Sequence, residues 1–261
     1  MTTAKLNAAA RTMLMGRAEV TVFPSAQTLF AATAAEFFRA IEQTLHSAQP
    51  CYVALTGGET ARSFYAVISA RLAAEPPLQQ LAWERVHFFF GDERAVPPDH
   101  PDSNYKMAAE SLLSNPALAS ATVHRIRAEL PPQQAAQQYE QEMRAAFGDH
   151  LPRFHLLLLG MGNDGHTASL FPGTAALDAS DRWVTENWVP KLDAFRITLT
   201  YPVLNNAAEV LFAASGETKR AALSAIFLRQ AQLPAARLQP AGRLLWYVDE
   251  AAATDLLTKA S

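Results

Sequence analysis

One cysteine, Cys51, is all that the 261 residues contain. A single thiol excludes a disulfide framework or a cysteine zinc site within one chain, and it fits a reducing compartment. No apolar run approaches the roughly 18 residues that a membrane span needs. The opening segment MTTAKLNAAARTMLMGRAEV breaks its apolar residues with Arg11 and Arg17, so no secretory signal is expected. A cytoplasmic protein with no membrane partner is the expectation. Charge is also sparse. The 22 Lys and Arg against 25 Asp and Glu leave a net charge of -3, with no basic block, which argues against a nucleic-acid partner. A cationic site must therefore come from a few locally placed residues. The seven histidines show no metal-ligand spacing and no HExxH, so neither a metal nor a cofactor is expected. No GxSxG elbow is present, which disfavours a serine-nucleophile hydrolase.

Short apolar runs alternate with longer helical stretches. Strands are predicted at 19–23, 51–56, 85–90, 123–126, 154–160, 183–189, 196–200, 209–215 and 244–249. Helices are predicted at 26–48, 61–73, 103–114, 131–147, 202–207, 216–230 and 249–259. Ser103 is a candidate N-cap. Alternation of this kind implies an α/β fold with a mostly parallel sheet covered on both faces. Runs 183–189 and 196–200 have no helix between them, so some strands should pair antiparallel. With no repeat, low-complexity linker or boundary, residues 1–261 read as a single domain. In such sheets ligands bind beyond the carboxyl ends of the strands. That rule selects three turns.

The first turn is LTGGETARSF. Gly57 and Gly58 let backbone approach a ligand, and the following helix offers free N–H groups to an anion. Thr56 and Thr60 add hydroxyls. No Walker lysine or GxGxxG spacing is found in this turn, which favours a simple phosphate over a nucleotide. A ligand-free glycine turn is the competing reading. The second turn, FFFGDERAVPPDHPDSNY, sets Asp92, Glu93 and Arg94 at a buried strand's end. Arg94 suits a phosphate fork, and Asp92 a sugar hydroxyl or a cation. The alternative is a solvated loop with a local ion pair.

The third turn, HLLLLGMGNDGHTASLFPG, delivers Asp164 and His166 from a uniformly apolar strand, with Thr167 or Ser169 expected to start a helix. Either Asp164 orients an imidazole that transfers protons, or His166 only hydrogen-bonds its own glycine loop. The six other histidines, at 46, 87, 100, 124, 150 and 155, are scattered. Lys191, Arg196 and Lys219 also fall at strand ends, where each is either solvated or part of an anion site.

Together, LTGGET, FFFGDERAVPPDHPDSNYKMA, LLLLGMGNDGHTASLFPG, RITLTYPVLNNAAEVLFAASGETK and LLWYVDEAAA occur in the order seen in 6-phosphogluconolactonases. The resemblance covers about residues 20 to 255. It implies a three-layer α/β/α sandwich with a Rossmann-like, mostly parallel sheet. It also implies a carboxylic ester hydrolase that opens 6-phospho-D-glucono-1,5-lactone to 6-phospho-D-gluconate in the oxidative pentose phosphate pathway, with no metal or other cofactor. By the same resemblance His166 is the general base with Asp164 beside it. Gly57, Gly58 and Thr60 cradle phosphate, and Arg94, Arg196 and Lys219 supply positive charge at the phosphate or the lactone. A sugar-phosphate lactone is the expected partner of a monomer or homodimer.

Two departures matter. Glu59 places an acid in the phosphate turn and would repel the ligand unless it points away. The related glucosamine-6-phosphate deaminases continue from GNDGH towards Asn-Glu-Pro, whose acid serves ring opening. Here Leu170, Phe171 and Pro172 stand there, which favours hydrolysis over an isomerase or deaminase. A non-catalytic sugar-phosphate sensor is the third alternative; it expects an effector or DNA-binding module that this sequence does not show.

Overall fold

The computed structural model describes residues 10–259. In chain order its elements are β1 (Arg11–Met15), β2 (Ala18–Phe23), α1 (Ala26–Leu45), β3 (Cys51–Leu55), α2 (Glu59–Ala74), α3 (Pro76–Gln79), β4 (Val86–Phe90), β5 (Asp92–Arg94), α4 (Asn104–Ala108), β6 (Thr122–Val123), α5 (Pro132–Phe147), β7 (Leu156–Leu159), β8 (Val184–Val189), β9 (Ala194–Leu199), α6 (Tyr201–Asn205), β10 (Glu209–Ala214), α7 (Arg220–Arg229), β11 (Arg243–Asp249) and α8 (Glu250–Lys259).

Eight strands form one sheet in the order β1-β2-β11-β10-β7-β3-β4-β6, flanked by helices as a three-layer α/β sandwich. Every pairing in it is parallel except β1 with β2. The four leucines of β7 are all buried, as expected of a strand covered on both faces at the sheet's centre. From β3 the chain adds strands outward on one side, through β4 to β6. It then returns to β7 and continues to β10 and β11 on the other side. The order of addition thus reverses between β3 and β7, and in sheets of this kind a crevice opens at such a point.

A smaller antiparallel sheet, β5-β9-β8, stands against the ends of β4 and β7. Its register sets Arg94 opposite Arg196, and Arg196 opposite Asn187. The small sheet is tied to the turns that follow β4 and β7: Leu199 N donates to Gly91 O at 2.9 Å, and Ser169 N donates to Thr198 Oγ1 at 3.2 Å.

Buried tyrosines fix two of the strand ends. Tyr65 Oη accepts from Thr56 N at 2.9 Å and donates to Thr56 O at 3.0 Å. Tyr139 Oη does the same at Phe90, at 2.7 and 3.0 Å. Each hydroxyl satisfies one buried donor and one buried acceptor just where the strand gives way to a turn, so neither group is left unpaired.

Several elements differ from the sequence reading. β1 was not expected; it is an exposed edge strand whose sequence, RTMLM, lacks a continuous apolar signal. Asp92, Glu93 and Arg94 form a strand rather than a loop, because pairing with β9 supplies a ladder that their charged side chains do not suggest. No helix starts at Thr167 or Ser169; the two residues lie in a tight turn closed by Leu170 N donating to Thr167 O at 2.9 Å. The predicted helix 103–114 begins at Ser103, whose side chain accepts from Lys106 N, but after Ala108 it widens into a π-helical turn, Ala109–Leu113. The expected antiparallel pairing of 183–189 with 196–200 is present as β8 and β9.

Candidate active site

A cleft of about 540 Å³ opens at the carboxyl ends of β3, β4, β7 and β10. Every site residue expected from the sequence lines it except Asp164, which meets His166 through a hydrogen bond.

The loop carrying Asp164 and His166 follows β7 and folds on itself. Gly162 N donates to His166 O at 2.8 Å, Gly165 N to Gly162 O at 2.9 Å, and Thr167 Oγ1 to Gly160 O at 2.9 Å. Gly160, Gly162 and Gly165 carry a GxGxxG spacing. No helix follows to receive a pyrophosphate, and the glycine serves another purpose. A Cβ on Gly162 would sit 2.0 Å from His166 Nδ1 and 2.8 Å from Asp164 Oδ1. The absent side chain is the space that the imidazole fills.

His166 Nδ1 and Asp164 Oδ1 are 2.6 Å apart, and the His166 backbone N–H donates to the same oxygen at 3.2 Å. Asp164 Oδ2 accepts from Lys191 Nζ. The imidazole stacks on Phe171, with centroids 4.0 Å apart and planes at 24°. Burial depresses the His166 pKa below its ordinary value, with Asp164 opposing the shift. Burial would raise the Asp164 carboxyl, but the hydrogen bonds from Lys191 and His166 outweigh it and hold Asp164 far below the usual range. The imidazole is thus neutral at neutral pH. With Nδ1–H given to an ionised carboxylate, the lone pair lies on Nε2. Among the described residues Nε2 has no hydrogen-bond partner.

Arg94 on β5, Arg196 on β9 and Lys219 beyond β10 line the cleft together with His166. In β5 alternate side chains take opposite faces, so Asp92 and Arg94 both reach the cleft while Glu93 turns away. Glu93 is buried and accepts from the backbone N–H groups of Arg94, Asn104 and Tyr105 and from Ser103 Oγ, at 2.7–3.1 Å. It staples β5 to the start of α4, and burial raises its pKa against those bonds. Asp92 is already engaged: Oδ1 accepts from Asn104 Nδ2 at 3.2 Å and Oδ2 from Ser169 Oγ at 2.6 Å.

Arg94 donates to the carbonyl of Asp102, Arg196 to that of Phe195, and Lys219 to the amide oxygen of Asn163. All three acceptors are neutral. Burial, with Arg94 alongside, lowers the Arg196 pKa, and burial lowers that of Lys219. Such cations gain from an anion placed among them. Gly58, at φ 96°, opens α2 with no side-chain cap, which leaves the first N–H groups of the helix for a ligand. The Glu59 side chain is 90% exposed at the rim of the cleft, 3.8 Å from Arg62.

Sequence reasoning noted Lys191 only as a cation at a strand end. It gave no partner, because Asp164 lies 27 residues away. Asn104 and Asn163 are given no role of their own by the sequence, and Ser169 only that of a possible helix start. Among the described residues no three His, Cys, Asp or Glu side chains converge as a metal-binding group.

Residues 24–246 match the family model described as glucosamine-6-phosphate isomerases/6-phosphogluconolactonase. A 6-phosphogluconolactonase of Synechocystis sp. is 41% identical over 211 residues, covering 78% of this chain and 84% of the relative. One from Homo sapiens is 40% identical over 240 residues, covering 90% and 92%. The solved 6-phosphogluconolactonase from Trypanosoma cruzi superposes with a TM-score of 0.80 at 27% identity, over 94% of this chain and 99% of that one.

Proposed function

The chain belongs to the glucosamine-6-phosphate isomerase/6-phosphogluconolactonase family, and from that membership and the cleft we propose that it hydrolyses 6-phospho-D-glucono-1,5-lactone to 6-phospho-D-gluconate in the oxidative pentose phosphate pathway. One observation carries the reading: His166, with Nδ1 on Asp164 and no partner for Nε2 among the described residues, faces a cleft in which Arg94, Arg196 and Lys219 are bonded only to neutral oxygens. That pairing suits an anionic substrate attacked by water.

The substrate phosphate binds at the Gly57–Gly58 turn and the start of α2, with Thr60, Arg196 and Lys219 around it. His166 Nε2 takes a proton from water as its oxygen attacks the lactone carbonyl. Arg94 stabilises the charge that develops on the carbonyl oxygen, a contribution of about 2.7–4 kcal/mol for one donor in comparable acyl transfers. Collapse of the tetrahedral species breaks the bond to the ring oxygen, which receives the proton back from His166. Water is added across one bond and no redox partner is needed. Asp164 stays ionised throughout and fixes the tautomer. Asp92 holds the β5 turn to the catalytic loop, within reach of a sugar hydroxyl. A cytoplasmic, one-domain protein is part of the same reading: hydrogen bonds tie the small sheet to the turns that follow β4 and β7, and no helix among the described residues is long and apolar enough to cross a membrane.

The deaminase alternative needs the acid of the Asn-Glu-Pro segment. Here Phe171 stands in that segment and stacks on the imidazole, so the segment supplies no carboxylate. The deciding experiment gives purified protein fresh lactone and subtracts spontaneous opening, with ammonia release from glucosamine 6-phosphate measured in parallel. Lactone opening above background and no ammonia are expected. Ammonia release favours the deaminase. Binding of 6-phosphogluconate without acceleration favours the sensor.

A further inference from the structure

Lys191 stands outside the cation set just described. It projects from the single turn Pro190–Leu192 at the tip of the β8–β9 hairpin. Asp193, at φ 47°, closes that turn in the left-handed region. The turn carries the ammonium out of the small sheet and onto the catalytic loop of the large one. There Nζ meets Asp164 Oδ2, the oxygen that His166 does not use, and lies 4.7 Å from the centre of the Phe171 ring. Phe171 in turn stacks on the imidazole. Lysine, aspartate, histidine and phenylalanine thus touch one another in a closed set whose formal charge is zero when the imidazole is neutral.

We propose that Lys191 is a positioning residue that keeps His166 available as a base by neutralising Asp164 from its far side. The inference rests on the lactonase reading above. A carboxylate alone beside an imidazole stabilises the imidazolium, which has no lone pair for water. Asp164 must orient His166 without charging it. The ammonium on Oδ2 draws off part of the carboxylate's charge and repels a proton on the ring. The charged groups facing the dyad are Asp164 and Asp92, which favour the imidazolium, and Lys191, which opposes it; Lys219 acts on Asp164 from the β10 side. Burial of the imidazole works with Lys191, and the two together overcome both acids. Phe171 completes the device: it holds the ammonium over its face, where a carboxylate would add a further negative charge and undo the balance.

The lysine side chain is half exposed, and pairs of this kind contribute little to folding stability, so its removal should leave the fold intact. The test compares Lys191→Met and Lys191→Arg with the unmodified enzyme. The first readout is the titration of the His166 ring nitrogens by NMR in the free protein. The second is background-corrected kcat and KM between about pH 5 and pH 9, the range in which a histidine titrates. In Lys191→Met the His166 midpoint should move to higher pH. In acid, kcat should fall about tenfold for each unit of displacement. KM should stay close to its original value, and Lys191→Arg should restore midpoint and rate. An unmoved midpoint overturns the proposal, as does a raised KM at unchanged kcat, which would make Lys191 a substrate-binding group. If the unmodified protein fails to open lactone, the function proposed above falls, while the ring titration still decides the role of Lys191.

Discussion

Two histidines in this molecule have nearly the same surroundings and different prospects. His166 Nδ1 lies 2.6 Å from Asp164, and His124 Nδ1 lies 2.7 Å from Glu142. Each ring stacks on a phenylalanine, His166 on Phe171 at 4.0 Å and His124 on Phe89 at 4.1 Å. The difference is at the second nitrogen. His124 Nε2 is 3.0 Å from His87 Nδ1, so both ring nitrogens are used inside the protein. His166 Nε2 opens into a cleft lined by Arg94, Lys191, Arg196 and Lys219. A carboxylate and an aromatic face are common to both rings; only His166 directs a ring nitrogen at a substrate-sized space. The two sites also differ in support. The His166 loop lacks the side chain at Gly162 that would block the ring, whereas His124 simply follows the short edge strand β6.

The sharpest way to break the comparison is to delete each ring. His166→Ala should lower lactone turnover by about 10²–10⁴-fold, the usual worth of a general base, and leave 6-phosphogluconate binding in place. His124→Ala should leave turnover nearly unchanged. Equal losses in steady-state kinetics would mean that the second nitrogen is not what separates them. Arg94→Ala comes next, at roughly 10²–10³-fold in kcat if its guanidinium meets the carbonyl oxygen. A loss confined to KM would move Arg94 to the phosphate.

The pH profile gives a smaller effect with a definite sign. Burial lowers the His166 pKa below 6.5, so the active base form persists below the ordinary histidine range and is lost only as pH falls through the depressed value. The acid limb of kcat/KM should therefore lie below pH 6.5 and vanish in His166→Ala. A limb that survives that change would assign it to another group. The smallest effect is in stability. His124→Gln should cost about 1–2 kcal/mol in denaturant unfolding, because Glu142 and His87 each lose a partner, while activity stays close to normal. A loss of activity without a loss of stability would give the second histidine a functional role.

The central strands were readable because burial on both faces leaves continuous apolar runs such as Leu156–Leu159. The three strand-end turns were readable because glycines and charges stand out after such runs. β1 escaped because an edge strand buries little and needs no pattern. β5 escaped because its stability comes from a ladder with β9, a partner about a hundred residues further on. The same reason hides the Lys191–Asp164 pair, the grip of Asn104 and Ser169 on Asp92, and the hold of Asn163 on Lys219. These are ordinary polar residues whose meaning is spatial. Glu93 looked like part of a functional charge cluster. Its two oxygens are consumed by four donors, and what it does is aim its neighbour Arg94.

The reversal of strand order between β3 and β7 has a consequence in time as well as in space. The cleft is assembled from Gly57 and Thr60 at one end of the message to Lys219 at the other, with the dyad between them. During synthesis the amino-terminal side emerges first, and β3 and β4 can pair while the ribosome is still extending the chain. Lys219, just past β10, reaches the cleft only once β10 lies beside β7 and β7 beside β3. Completion of the cleft thus waits on the last third of the chain. A nascent chain halted before β10 would carry the histidine, its aspartate and the glycine turn, yet still lack one wall of the cleft.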